Sequence, residues 1–136
     1  MRVLVDTSAW VDFFNGHPSP QGEALARLIR QEADVLTCGV VAAEVLQGIR
    51  RSKTLSKIEQ HFREMEWLTP QEPETYVEAA DLYRQLRSRG LTIRSTIDCI
   101  IAKLAEANDA LILSKDRDLQ IIVDSKLLDL RALPLA

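Results

Sequence analysis

Short apolar runs without helical period, each passing directly into a stretch that has one, constrain this chain more tightly than any other feature. Arg2-Val3-Leu4-Val5 is such a run, ended by Asp6-Thr7-Ser8, and a short helix is expected from Ser8 to Asn15. Gly16-His17-Pro18-Ser19-Pro20 breaks that helix, after which Ala24, Leu25, Leu28 and Ile29 recur at helical spacing. Val35-Leu36-Thr37 reads as a second strand leading into a helix through Val41, Val45, Leu46 and Ile49, and Trp67-Leu68 as a third strand before Pro70. Between them, Arg50, Arg51, Lys53, Lys57 and Arg63 face Glu59 alone, which predicts a charged helix from Arg50 to Arg63. Tyr76, Ala79, Ala80, Tyr83 and Leu86 lay an apolar stripe along a helix that Gly90 ends with a left-handed cap. Ser95 to Ala107 is the next helix and Ala110-Leu111-Ile112-Leu113 a buried strand; a short helix and an apolar stretch from Leu130 to Leu135 close the chain.

Strands alternating with helices build right-handed βαβ units. The expected fold is therefore α/β, a three-layer α/β/α sandwich with a mainly parallel central sheet. At 136 residues, 46% hydrophobic and 27% charged, the chain is expected to form a single domain over 1–136 with an ordinary buried core. The longest apolar runs, such as Val40-Val41-Ala42-Ala43, fall far short of the ~20 residues of a membrane span. Asp6 interrupts the opening run where a signal peptide would stay apolar, so the expected location is the cytoplasm. Cys38 and Cys99 lie in apolar contexts without CxxC spacing, far in sequence from His17 and His61, and read as buried, inert thiols. A net charge of −3 and a pI near 5.4 exclude a globally basic nucleic-acid coat protein.

Walker A, G-x-G-x-x-G and G-x-S-x-G patterns are absent, which leaves carboxylates to carry any chemistry. Ligands of open parallel sheets bind beyond the carboxyl ends of the strands, and Asp6 and Asp116 both follow strands there. Each would equally serve as a cap for the next helix. Glu44, with Val40, Val41 and Gly48 at i−4, i−3 and i+4, is expected beside the buried face. An unpaired carboxylate there costs several kcal/mol unless a cation or donor compensates, and a structural salt bridge is one such compensation. Asp98, followed by Ile101, Ala102 and Ala105, also faces inward. Ser95-Thr96-Ile97-Asp98 fits a capping box in which Asp98 accepts from the Ser95 amide. Gathered in one pocket, the four acids would repel one another and favour a hard cation. Oxygen-only ligands select Mg2+ or Mn2+, ions that orient water and neutralise charge in phosphodiester cleavage. The competing expectation is a non-catalytic α/β interaction module whose acids are helix caps and salt bridges.

Val3-Leu4-Val5-Asp6-Thr7-Ser8-Ala9-Trp10, Glu44-Val45-Leu46-Gln47-Gly48, Asp98-Cys99-Ile100-Ile101-Ala102 and Leu113-Ser114-Lys115-Asp116-Arg117-Asp118, in this order, resemble the four motifs of PIN-domain ribonucleases. The likeness is closest to VapC-type toxins of toxin–antitoxin pairs and covers nearly the whole chain. The resemblance implies a Mg2+- or Mn2+-dependent endoribonuclease with Asp6, Glu44, Asp98 and Asp116 as the acidic quartet, Asp6, Asp98 and Asp116 being metal ligands. Thr7 or Ser8, and Ser114, would be supporting hydroxyls, and Asp118 would share or support the role of Asp116. Leu119 stands where many relatives carry an aromatic residue. It further implies an RNA substrate, a cognate VapB-like antitoxin and a homodimer, for which the helices around Leu46 to Phe62 are a candidate surface. Arg50, Arg51, Arg84 and Arg87 are candidates to grip RNA phosphates, as are Lys53, Lys57, Arg89 and Arg94; solvated helix faces are the alternative.

Overall fold

A computed structural model describes residues 1–135. Strands β1 (Arg2–Val5), β2 (Asp34–Cys38), β3 (Glu66–Leu68) and β4 (Leu111–Leu113) form one sheet in the order β3-β2-β1-β4. Every neighbouring pair is parallel. Val3, Leu4 and Val5 are all 0% exposed although successive strand side chains point to opposite faces, so both faces of the sheet are covered. Two groups of helices provide the cover. α1 (Thr7–Asn15) packs on α2 (Pro20–Arg30) and α3 (Gly39–Gln47), and α3 packs on α4 (Lys53–Glu64). In the other group α5 (Glu74–Ser88) packs on α6 (Thr96–Ala107), and α6 on α7 (Arg117–Ser125).

Local chemistry sets the boundaries. Ser19, Ser52 and Ser95 accept from the amides of Gly22, Leu55 and Ile97, satisfying donors that the first helical turn leaves free. Gly90, at φ 76°, takes the left-handed conformation after α5, and the Leu91 amide returns to the Leu86 carbonyl at 2.9 Å.

Three sequence expectations need correction. α3 ends at Gln47, and α4 begins only at Lys53 behind its Ser52 cap, so Arg50 and Arg51 lie in a loop rather than in a charged helix. The stripe that α5 buries is Thr75, Ala79, Leu82 and Leu86, rotated from the expected one and leaving Tyr76 43% exposed. Thr75 Oγ1, accepting from the Gln71 amide at 2.8 Å, fixes that first turn. Ile58 and Phe62 belong to the core, which reduces the candidate dimer surface to the partly exposed Leu46, Ile49 and Leu55. The closing apolar stretch pairs with β4: Ile112 donates to the Arg131 carbonyl at 3.0 Å, and Leu133 donates to the Ile112 carbonyl at 2.8 Å, covering an otherwise open edge. Among the described residues no helix is long and apolar enough to cross a membrane.

The chain runs from β1 outward to β2 and β3 and then returns to the other side of β1 as β4. The order reverses between β1 and β4, and the crevice at their carboxyl ends is where such sheets bind ligands.

Candidate metal centre

At that crevice the Asp6 amide donates to the Leu113 carbonyl at 2.9 Å, bringing the ends of β1 and β4 together. Asp6 is 5% exposed, and its Oδ2 accepts from Ser8 Oγ at 3.1 Å and Ser114 Oγ at 2.9 Å. Ser8 Oγ accepts from the Lys115 amide at 2.9 Å and Ser114 Oγ from the Asp116 amide at 2.8 Å. With each hydroxyl already an acceptor, its proton is free to point at Asp6. Of the three candidate hydroxyls, Ser8 and Ser114 contact Asp6, whereas Thr7 Oγ1 is buried without a partner among the described residues.

The capping alternative divides the acids. Asp116 does cap α7, its Oδ1 accepting from the Asp118 amide at 2.8 Å. Asp6 stands at the cap position of α1 but makes no side-chain cap bond. The carboxylate of Asp98, a residue 9% exposed on α6, accepts no hydrogen bond among the described residues: the expected box is absent, since Ser95 Oγ caps the Ile97 amide and the Ser95 amide does not donate back to Asp98. Glu44 also departs from expectation. It is exposed, lying at the lip of a hollow of about 340 Å3 that it lines with Asp98, Asp116, Asp118 and Arg94.

One carboxylate oxygen from each of Asp98, Asp116 and Asp118 lies within 4.8 Å of the other two. Asp118 thus joins the tightest group, which Asp6 does not; the Asp116-x-Asp118 spacing across a helix start is the sequence signal for it. Burial, reinforced by Asp116, Asp6, Asp118 and Glu44, pushes the Asp98 carboxyl up to about 7. Burial also raises Asp6, against the bonds from Ser114 and Ser8, and raises Glu44 together with the charges of Asp6 and Asp116. Burial acts to raise Asp118 as well, but the Arg94 amide and guanidinium overbalance it and hold that carboxyl low. The free thiols of Cys38 and Cys99 are buried, and burial and Asp98 push Cys99 up to about 11.

A compact, all-oxygen set of carboxylates, of which Asp98 has no hydrogen-bond donor among the described residues, fits a hard divalent cation, whose shell radius of about 2.0–2.6 Å spans such a group. Asp98, Asp116 and Asp118 would hold it. Lys115 Nζ, 2.7 Å from Asp12 Oδ2, ties the loop bearing Ser114 and Asp116 to α1 and keeps the Asp12 carboxyl below its usual range. Leu119, 1% exposed, fills the core beneath this loop.

The basic candidates are dispersed. Arg84 pairs with Asp81 at 3.4 Å, and Arg84 and Arg87 line hollows other than the acidic one. Arg50 and Arg51 are exposed beyond the end of α3. Among the described residues lining the acidic hollow, Arg94 is the cation.

Parallel strands in this order, with carboxylates gathered where the order reverses, agree with the family comparison: the PIN domain model matches residues 3–124, and the chain belongs to the PIN domain family. It is 34% identical over 121 residues to VapC ribonuclease Mb1587 of Mycobacterium bovis and, to the same extent, to Ribonuclease VapC11 of Mycobacterium tuberculosis. Each alignment covers 88% of this chain and 90% of the relative. Among solved structures, VapBC2 from Rickettsia felis, bound to a DNA fragment from its promoter, shares the fold with a TM-score of 0.67 and 21% identity, covering 98% of this chain and 100% of that one.

Proposed function

We infer that this chain is a divalent-metal-dependent endoribonuclease, the toxin of a VapBC-type toxin–antitoxin pair. The observation that carries this is the approach of Asp98, Asp116 and Asp118 to within 4.8 Å, with Glu44 lining the same hollow, in a chain 34% identical to VapC ribonucleases. Asp6, Glu44, Asp98 and Asp116 are the proposed catalytic acids. Asp6, Asp98 and Asp116 are the proposed metal ligands, with Asp118 added by its proximity. Mg2+ or Mn2+ is the proposed ion; when bound, it supplies charge neutralisation and a more acidic water.

The chain's own residues do the rest. Ser8 and Ser114 hold Asp6 in one orientation, and Asp116 is held by the Ser114 hydroxyl at its amide. Glu44, exposed at the lip and raised above its ordinary value by burial and the charges of Asp6 and Asp116, is the proposed acceptor of the proton of an attacking water. The proposed partners are RNA, a VapB-like antitoxin and a second copy of the chain, with the cytoplasm, where RNA is met, as the proposed setting. Incubating purified, partner-free protein with structured RNA tests the conclusion: cleavage is expected with Mg2+ or Mn2+ and none with a chelator, and cleavage persisting after full chelation would refute the metal mechanism.

A further inference from the structure

The acidic hollow presents a problem to a polyanion: Glu44, Asp98, Asp116 and Asp118 all repel a phosphate that approaches the reacting centre. Arg94 is the cation lining the same hollow, and its guanidinium is held in an unusual way. Asp118 Oδ2 accepts both from the Arg94 backbone amide at 3.1 Å and from Nε at 3.0 Å. The Asp118 side chain is 5% exposed, while that of Arg94 is 79% exposed. An exposed arginine is thus anchored at two points by a single buried oxygen, which removes much of the conformational freedom a surface arginine would otherwise lose on binding. Its Nη2 stands 3.5 Å from Asp116 Oδ1, and Nη1 makes no hydrogen bond among the described residues.

The geometry points to Arg94 as a phosphate-binding residue of the cleavage site, with Asp118 as the positioning residue that aims it. This inference rests on the ribonuclease reading and deepens it. A guanidinium fixed through Nε, with Nη2 turned to Asp116, leaves Nη1 to donate to a phosphate's non-bridging oxygen, so the strand is received beside the carboxylates despite their charge. The distant basic side chains do not occupy that place: Arg84 and Arg87 line other hollows.

The test is the salt dependence of KM for RNA cleavage at fixed divalent ion, in the parent, Arg94→Gln and Arg94→Lys. Glutamine keeps an N–H for Asp118 and removes the charge; lysine keeps the charge and loses the fork. Melting curves establish that each variant is folded. Arg94→Gln is expected to raise KM about 10–100-fold with kcat changed far less, as loss of a charged hydrogen bond in both ground and transition states requires. It should also lower the slope of log KM against log salt by about 0.7–0.9, the value for a single neutralised phosphate, with Arg94→Lys recovering that slope. An unchanged slope in folded Arg94→Gln, or a loss confined to kcat, overturns the inference and returns Arg94 to a structural partner of Asp118. A parent that cleaves no RNA under any divalent ion sinks the ribonuclease reading instead, so the two failures are told apart.

Discussion

Ser114 donates to Asp6 Oδ2 at 2.9 Å across 108 residues of sequence, joining by side chains the same strand ends that the Asp6 amide and Leu113 carbonyl join by backbone. Because Ser114 also accepts from the Asp116 amide, one hydroxyl orients acids from both sides of the crevice.

Ser114→Ala is therefore expected to fold and to lose about 10–100-fold in activity or metal affinity, the usual cost of removing a group that orients a ligand. Cleavage rates and a Mn2+ titration of the variant check this. Parental values in both would show that Asp6 keeps its place without the hydroxyl.

Stability against pH gives a second expectation. Asp98 is raised from an ordinary 3.8 to about 7 in the metal-free fold, so between those values the folded state binds more protons than the unfolded one. Its contribution to stability therefore falls as pH rises through that window. In chelator, the melting temperature of the parent relative to Asp98→Asn should drop from about pH 4 to about pH 7, and Mn2+ should restore it, since a ligand of the native state stabilises it. A difference that stays constant with pH would mean that Asp98 ionises in the fold as it does in the unfolded chain.

The loop basic residues supply a third. Arg50 and Arg51 follow the helix that carries Glu44, whereas Arg84 and Arg87 line hollows elsewhere. Neutralising Arg50 and Arg51 together should flatten the salt dependence of RNA binding by about 0.7–0.9 for each phosphate left without its cation. The Arg84 and Arg87 pair should have the smaller effect. A larger change from the second pair would place the RNA track along α5.

Alternation of strand and helix made the three-layer fold legible, because a run such as Val3-Leu4-Val5 next to a polar stop has few other uses. The acids at strand ends were legible for the same reason: topology decides where Asp6 and Asp116 meet. Side-chain direction within a helix was harder to read. Glu44 sits one position from Val45, which is buried, and a rotation of that size separates the core from the lip of the hollow. The Asp98 box failed because Ser95 Oγ serves the Ile97 amide and the carboxylate turns toward the other acids, a competition local sequence does not settle. Arg94 was one basic residue among several until the fold put Asp118 behind it.

Asp98→Asn separates the acidic-site account from the helix-cap alternative most directly. The carboxylate makes no cap bond, so the change forfeits at most the charge–dipole term of roughly 0.3–1 kcal/mol and relieves repulsion in the metal-free protein. At a hard-cation site it removes a formal charge on which affinity depends. Measured side by side, nuclease activity and the Mn2+-induced rise in melting temperature should both fall steeply in a variant that melts in chelator at or above the parental temperature. A folded Asp98→Asn protein that cleaves RNA at the parental rate with an undiminished Mn2+ shift would contradict the account.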